Sequence, residues 1–385
     1  MAGCGAVNPP DNIEPVSEGR GYQAQYRDIV SRRSGDASSL ALNAQKCRPA
    51  RKDGTSFAKF GSSLFLSDIL SPGDLVDVRI ESDDEFSGQY VVSQDGTIRL
   101  PFLSAVSVKG RSMSSIEADL AAQLLSLDYF VEKPRVSVRL LDRAPATVAV
   151  SGAVFESRAV QIGGRSGPVI DTLRQAAMGD ATETRLLSNA IRAAGGIRPD
   201  ADLSSVELHR SGTIHRLDLR PLMEGTDTTD IPMLAGDRVI VPSRGCFQDN
   251  LMRPGPLSPS GVNLFLSNLS APAQGNAPSA IGKEAREVPY GTRLIQAIVG
   301  SNCAGGTLAT NAGRAVVLVS ADPVSGTSLA IQRDVEALLR RGDRDDFDPY
   351  LLPGDSIACY DSTVTNVADV ARILGVLSVL DVALR

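Results

Sequence analysis

Hydrophobic and polar positions alternate in short runs along most of this chain, and Gly, Pro, Asp and Asn separate the runs. Leu75-Val76-Asp77-Val78-Arg79-Ile80 reads as a strand. It is entered through Ser71-Pro72-Gly73-Asp74, where Pro fixes φ, Gly accepts a left-handed turn and Asp bonds nearby amides. Residues 90–101 read as two short strands around Asp95-Gly96, a strong hairpin signal. Ser114 and Glu117 fit a capping box. Met113, Ile116, Leu120, Leu124 and Leu127 recur at steps of three and four, which predicts a helix with one apolar face. Val136-Ser137-Val138-Arg139-Leu140 and Thr147-Val148-Ala149-Val150-Ser151-Gly152 predict further strands, so residues 64 to about 160 form an α+β unit.

The pattern then repeats. Thr184-Arg185-Leu186-Leu187-Ser188-Asn189-Ala190-Ile191 runs into Gly195-Gly196, and Thr292-Arg293-Leu294-Ile295-Gln296-Ala297-Ile298 runs into Gly305-Gly306. Both are short apolar helices stopped where a left-handed cap costs little. Strands follow in each copy, Val206-Glu207-Leu208-His209 in one and Ala315-Val316-Val317-Leu318-Val319 in the other. The copies close alike: Asp230-Ile231-Pro232-Met233-Leu234-Ala235-Gly236-Asp237 matches Asp348-Pro349-Tyr350-Leu351-Leu352-Pro353-Gly354-Asp355, and a strand follows each. A unit of helix, Gly-Gly, strands, Gly-Asp turn and strand occurring twice predicts two small β-grasp-like domains. Residues 5 to about 60 show no period and read as a tether. Residues 246–285 are rich in Pro, Ser and Asn and are long for an ordinary loop.

Composition narrows the function classes. The 385 residues suffice for two or three domains. The net charge is −6, with no basic run, against the basic face that nucleic-acid binding needs. No stretch of about 20 apolar residues offers a simple membrane span. Trp is absent and aromatics are 4 %, against the aromatic girdles of a transmembrane β-barrel. Five cysteines, Cys4, Cys47, Cys246, Cys303 and Cys359, include no C-x-x-C pair. They are either scattered buried thiols or, with Cys4 set apart, two disulfides in an oxidising compartment with three possible connectivities. Cys4 follows small residues, as the acylated Cys of a bacterial lipoprotein does.

Catalytic patterns are missing. His209 and His215 flank a hairpin and have no zinc-ligand spacing. No G-x-S-x-G elbow occurs, and Gly282-Lys283 lacks the rest of a P-loop. Asp343, Asp345, Asp346 and Asp348 lack the Gly and Glu of an EF-hand and read as a solvated acidic loop, as does Asp83-Asp84-Glu85. No cofactor or metal is expected.

The 71–74 turn, the Asp95-Gly96-Thr97-Ile98-Arg99-Leu100-Pro101 run, the capped helix and Val136-Ser137-Val138 resemble a polysaccharide-export domain. The two repeats resemble soluble-ligand-binding β-grasp (SLBB) domains. Their order resembles the outer-membrane polysaccharide export family. Residues 258–268 and 355–367 resemble the branch that serves ABC-transporter-dependent capsules.

The resemblance implies an α+β chain in six parts: a lipid-anchor tether (1–63), a polysaccharide-export domain (64–165), a first SLBB-like β-grasp domain (166–245), a connector (246–285), a second SLBB-like domain (286–362) and a C-terminal transmembrane amphipathic helix (363–385). The turn residues would be Pro72, Gly73, Asp74, Gly236, Asp237, Pro353, Gly354 and Asp355. It implies a non-enzymatic, outer-membrane, largely periplasmic lipoprotein with the lipid on Cys4. Copies would form an octamer-like ring that exports capsular polysaccharide, fed by an inner-membrane polysaccharide co-polymerase or ABC exporter. Cys303 is then expected to pair with Cys359, and Cys47 with Cys246.

Residues 363–385 would make a helix of about 34 Å, long enough for a hydrocarbon core of about 30 Å. Val364, Val367, Val370, Ile373, Leu374, Leu377, Leu380 and Leu384 are its apolar positions, against Asn366, Asp369, Arg372, Ser378, Asp381 and Arg385. The polar positions before and after Gly375 fall on different faces. Asp369, Arg372 and Asp381 are costly against lipid unless turned toward a lumen or a neighbour. The alternatives are a terminal helix docked on the last domain, with the protein a soluble periplasmic glycan-binding module, and a polysaccharide-modifying enzyme.

Overall fold

The computed structural model describes residues 23, 47–50, 69–81, 83–163, 185–226, 230–268, 286–300, 315–324, 326, 328–340 and 347–360. The chain divides into two compact units. One takes in residues 49–244 and 255–257; the other takes in 1–48, 245–254 and 258–385.

The first unit opens on β1 (Leu75–Ile80), which lies between β2 (Asp83–Val91) and β5 (Val136–Asp142), antiparallel to both. Helix α1 (Met113–Ser126) buries Ile116, Leu120, Ala121 and Leu124. Ile116, Leu120 and Leu124 join Val76, Val78, Ile80, Phe86 and Val138 of the sheet in one apolar core. The helical period is thus as read, but its ends differ. The N-cap is Ser112, whose Oγ accepts from the Ser115 N–H, rather than Ser114. Glu117 does not close a capping box: its Oε1 accepts the Val138 N–H at 2.8 Å and ties α1 to β5. Leu127 is the C-cap and is 52 % exposed, because the helix has already ended. Asp95-Gly96 makes a local turn, with Gly96 N–H on Ser93 O and Ser93 N–H on Thr97 O. The strand after it, β3 (Thr97–Ile98), pairs with β4 (Val106–Ser107) instead of folding back on β2.

Two copies of one sheet follow. The first is built from β6 (Ala146–Gly152), β7 (Arg158–Ile162), α2 (Leu187–Ala193), β8 (Val206–Arg210), β9 (Thr213–Leu217), α3 (Arg220–Glu224) and β10 (Arg238–Val241), with strand order β7-β6-β10-β8-β9. The second, in the other unit, is built from β11 (Val262–Asn268), β12 (Arg286–Val288), α4 (Leu294–Gly300), β13 (Ala315–Ala321), β14 (Ser328–Asp334), α5 (Val335–Arg340) and β15 (Ser356–Tyr360), with order β12-β11-β15-β13-β14. In each copy the last strand runs parallel to the first, Arg238 opposite Ala149 and Ser356 opposite Phe265, and antiparallel to the third.

This pairing moves the expected boundaries. Residues 146–162, allotted to the export domain, supply the first hairpin of the first repeat, and β11, allotted to the connector, supplies the first strand of the second. A parallel pair joins strands far apart in sequence, so nothing local announces it. The Gly-Gly stop behaves as read: Gly195 and Gly196 both have left-handed φ, and the Gly196 N–H reaches Ile191 O.

The expected membrane helix (363–385), Cys4, Cys303, Gly305-Gly306, Asp343, Asp345 and Asp346 lie outside the described residues. Among the described residues no helix is long and apolar enough to cross a membrane.

Candidate functional site

One turn occurs three times, and each time it launches the central strand of a sheet. At 71–74, 234–237 and 352–355 the Asp carboxylate accepts the N–H three residues back, from Ser71, Leu234 and Leu352, at 2.8 Å each. In each, the Asp N–H returns to the carbonyl of that same residue at 3.1 Å. The glycines between have φ of 92°, 89° and 88°, where any Cβ is strained. β1, β10 and β15 start one residue later. In the repeats the turn also bonds the first strand on both sides: Gly236 N–H to Thr147 O and Ala149 N–H to Asp237 O in one, Gly354 N–H to Asn263 O and Phe265 N–H to Asp355 O in the other.

The three carboxylates are buried, with Asp74 at 0 %, Asp237 at 4 % and Asp355 at 1 % exposure, and differ in what faces them. Asp74 accepts Arg185 Nη1 at 2.8 Å and the Ala144 N–H at 3.0 Å. Asp237 receives Arg210 through Nε and Nη2, a two-pronged pair with Nη2 at 2.6 Å. The register of β8 and β13 against β10 and β15 sets His209 opposite Arg238 and Val319 opposite Ser356. Ser320 therefore stands in the second copy where Arg210 stands in the first. Burial pushes the Asp355 carboxyl up to about 7, opposed by the Leu352 N–H and the nearby Ser320 hydroxyl. That hydroxyl is buried and in no hydrogen bond of good geometry.

The helix starts of the repeats are also one residue out of step with their letters. Leu186 bridges Pro232 and Arg293 bridges Tyr350; Met233 N–H reaches Arg185 O and Leu351 N–H reaches Thr292 O. Arg185 thus occupies the place of Thr292, not of Arg293. Arg185 turns inward to Asp74, Ala144 O and Met233 O. Arg293 instead lies over the Tyr350 ring at 4.1 Å and donates to Asp348 O.

A pocket of about 380 Å³ opens in the second repeat between β11, β12 and α4, lined by Leu266, Val288, Tyr290, Thr292, Gln296 and Ala297 among others. Its walls are mostly apolar, and its polar groups are largely engaged: Thr292 Oγ1 donates to Pro289 O, Gln296 Oε1 accepts the Arg293 N–H, and Tyr290 Oη reaches Met252 Sδ. The Gln296 amide nitrogen is the polar handle left for a ligand.

Cys47 and Cys246 are joined in a disulfide, with Cα atoms 4.9 Å apart. Cys359 is disulfide-bonded too. Among the described residues no group of His, Cys, Asp and Glu is arranged to hold a metal. His209 sits on β8 beside Glu207 at 3.2 Å, and burial followed by the Arg210 charge holds His215 below its usual range. Arg185, Arg210 and Ser320 were not candidates from sequence. The signal for the last two was present in the strand after each Gly-Gly, but only the register aligns them.

The fold is thus a modular α+β chain with one antiparallel unit and two like sheets, all hung on the same buried aspartate turn. Residues 67–141 match the polysaccharide biosynthesis/export protein family, a span that starts just before the first turn and ends within β5.

Proposed function

We propose that this chain is a channel-forming outer-membrane lipoprotein that carries capsular polysaccharide from the periplasm to the cell surface as a homo-oligomeric ring. The observation that carries the reading is the polysaccharide-export match over residues 67–141, followed along the chain by two copies of one five-stranded unit. The strand order of those units, two hairpins around a last strand parallel to the first, is that of a β-grasp and supports taking them as SLBB-like domains. The Cys47–Cys246 disulfide suits an oxidising periplasm. In this reading Cys4 carries the lipid and residues 363–385 cross the membrane beside their copies. An inner-membrane co-polymerase or ABC exporter supplies the driving force. The chain acts as a conduit and needs no catalytic group or cofactor.

Imaging of detergent-extracted full-length protein should show rings several times the 40.6 kDa chain. Deleting residues 363–385 should abolish capsule at the surface while polymer accumulates inside. Monomers on extraction, with capsule display unaffected by the deletion, would instead favour a periplasmic glycan-binding module. The pocket of the second repeat is the observation that favours that second reading.

A further inference from the structure

We propose that the 352–355 turn is a proton-operated latch on β15, the central strand of the second repeat: it holds the strand while the Asp355 side chain is neutral and loosens it when that side chain ionises. The inference is independent of the transport reading. It stands on the comparison between the two repeats. The same turn, with the same backbone bonds, is closed by a carboxylate with a guanidinium in the first copy and by a carboxylate with a serine in the second. A buried carboxylate without a cation is costly as an anion and cheap as an acid. Ser320, 3 % exposed and uncharged, offers a hydroxyl in place of the guanidinium and no counter-charge when Asp355 ionises.

No described charge around the turn takes the place of Arg210. β11 and β13 carry no charged residue. On β14, Arg333 gives Nε to Phe347 O and Nη1 to Gln332 O, and Asp334 accepts the Ala337 N–H. Asp322, just after β13, accepts the Val324 N–H, and Asp348, upstream of the turn, accepts the Ile295 N–H. Arg293 is spent on Asp348 O and Tyr350. Arg286 and Glu287 lie on β12, which pairs only with β11. Burial, the Leu352 N–H and the Ser320 hydroxyl are what act on Asp355, and they bring its titration to about pH 7.

The sign follows. A carboxyl whose folded pKa lies above its unfolded one contributes stability that is complete at acid pH and is lost as pH rises through the folded value. With the midpoint near 7, opening of β15 should become about a hundredfold more favourable between pH 5 and pH 8.

Hydrogen exchange of the β15 amides in the full-length protein, corrected for intrinsic rates, reads this directly. Wild type should lose about a hundredfold protection across that window. Asp355→Asn should hold protection level there while leaving the pH profile of β10 unaltered. Ser320→Arg, which supplies the first copy's cation, should also flatten the β15 profile. A wild-type β15 profile that is flat from pH 5 to 8, or a slope that survives Asp355→Asn, overturns the proposal.

Discussion

Replacing Cys47 and Cys246 together by serine should destabilise the unit that carries the second repeat by up to about 5 kcal/mol, the chain-entropy value for a closed loop of this length. The two cysteines are 199 residues apart in sequence, and both belong to that unit, whereas residues 49–244, the bulk of the other unit, lie between them. The bond therefore closes a long covalent loop and ties Cys47 to the 245–254 segment of its own unit. Among the described residues of that unit, Gln23 exchanges two hydrogen bonds of 2.9 Å with the Tyr350 backbone, and Phe247 stacks on the Tyr350 ring. The 5 kcal/mol is a ceiling, because a folded 49–244 segment already limits how far its ends can separate. Urea unfolding should split into two transitions, with only the one assigned to the second-repeat unit moved to lower denaturant. Coincident curves for wild type and the double variant would show that the bond constrains nothing the fold does not already hold.

How much of this was readable beforehand depends on whether the cause was local. Gly73, Gly236 and Gly354 sit in turns whose closing bonds lie within four residues, and the structure has a turn at all three. The apolar face of α1 is local as well, and Ile116, Leu120 and Leu124 are buried as their spacing predicts. The misreadings share a nonlocal cause. Glu117 reads as half of a capping box with Ser114, but the helix is capped two residues earlier, at Ser112, and the Glu117 partner is Val138 on a strand twenty-one residues on. β6 looked like part of the export domain because the parallel partner that claims it, β10, is encoded some ninety residues later. The Thr-Arg-Leu letters of the two repeats invite an alignment that the backbone bonds shift by one, so two arginines that look equivalent do different work. The contrast between Arg210 and Ser320 is invisible until strand register is known, since neither residue belongs to a motif.

That shift gives Arg185 a role the second repeat does not duplicate, and Arg185→Met should destabilise the 49–244 unit by about 3–5 kcal/mol. The guanidinium is 2 % exposed and makes three bonds: Nη1 to Asp74 Oδ1 at 2.8 Å, Nη1 to Ala144 O at 3.1 Å, and Nε to Met233 O at 2.8 Å. It therefore joins the export unit's turn to the strand-like segment that leads into the first repeat's turn, a link reinforced by the Ala235 N–H on Ser71 Oγ. Methionine fills much of the same volume, so the loss is not mainly a cavity. What remains is a carboxylate at 0 % exposure with only the Ser71 and Ala144 N–H groups, together with a buried Met233 carbonyl deprived of its donor. Breaking one side of a buried pair costs more than the pair contributes, since the surviving charge stays desolvated. The Asp74→Asn, Arg185→Met double variant should thus be less destabilised than the sum of the single variants, because the Asn side-chain oxygen can still accept the Ser71 N–H without a net charge. Denaturant unfolding of the four proteins measures the cycle. A cost below about 1 kcal/mol for Arg185→Met would mean that water or rearrangement supplies the counter-group, and that the three-stranded and five-stranded sheets of this unit do not depend on the ion pair for their junction.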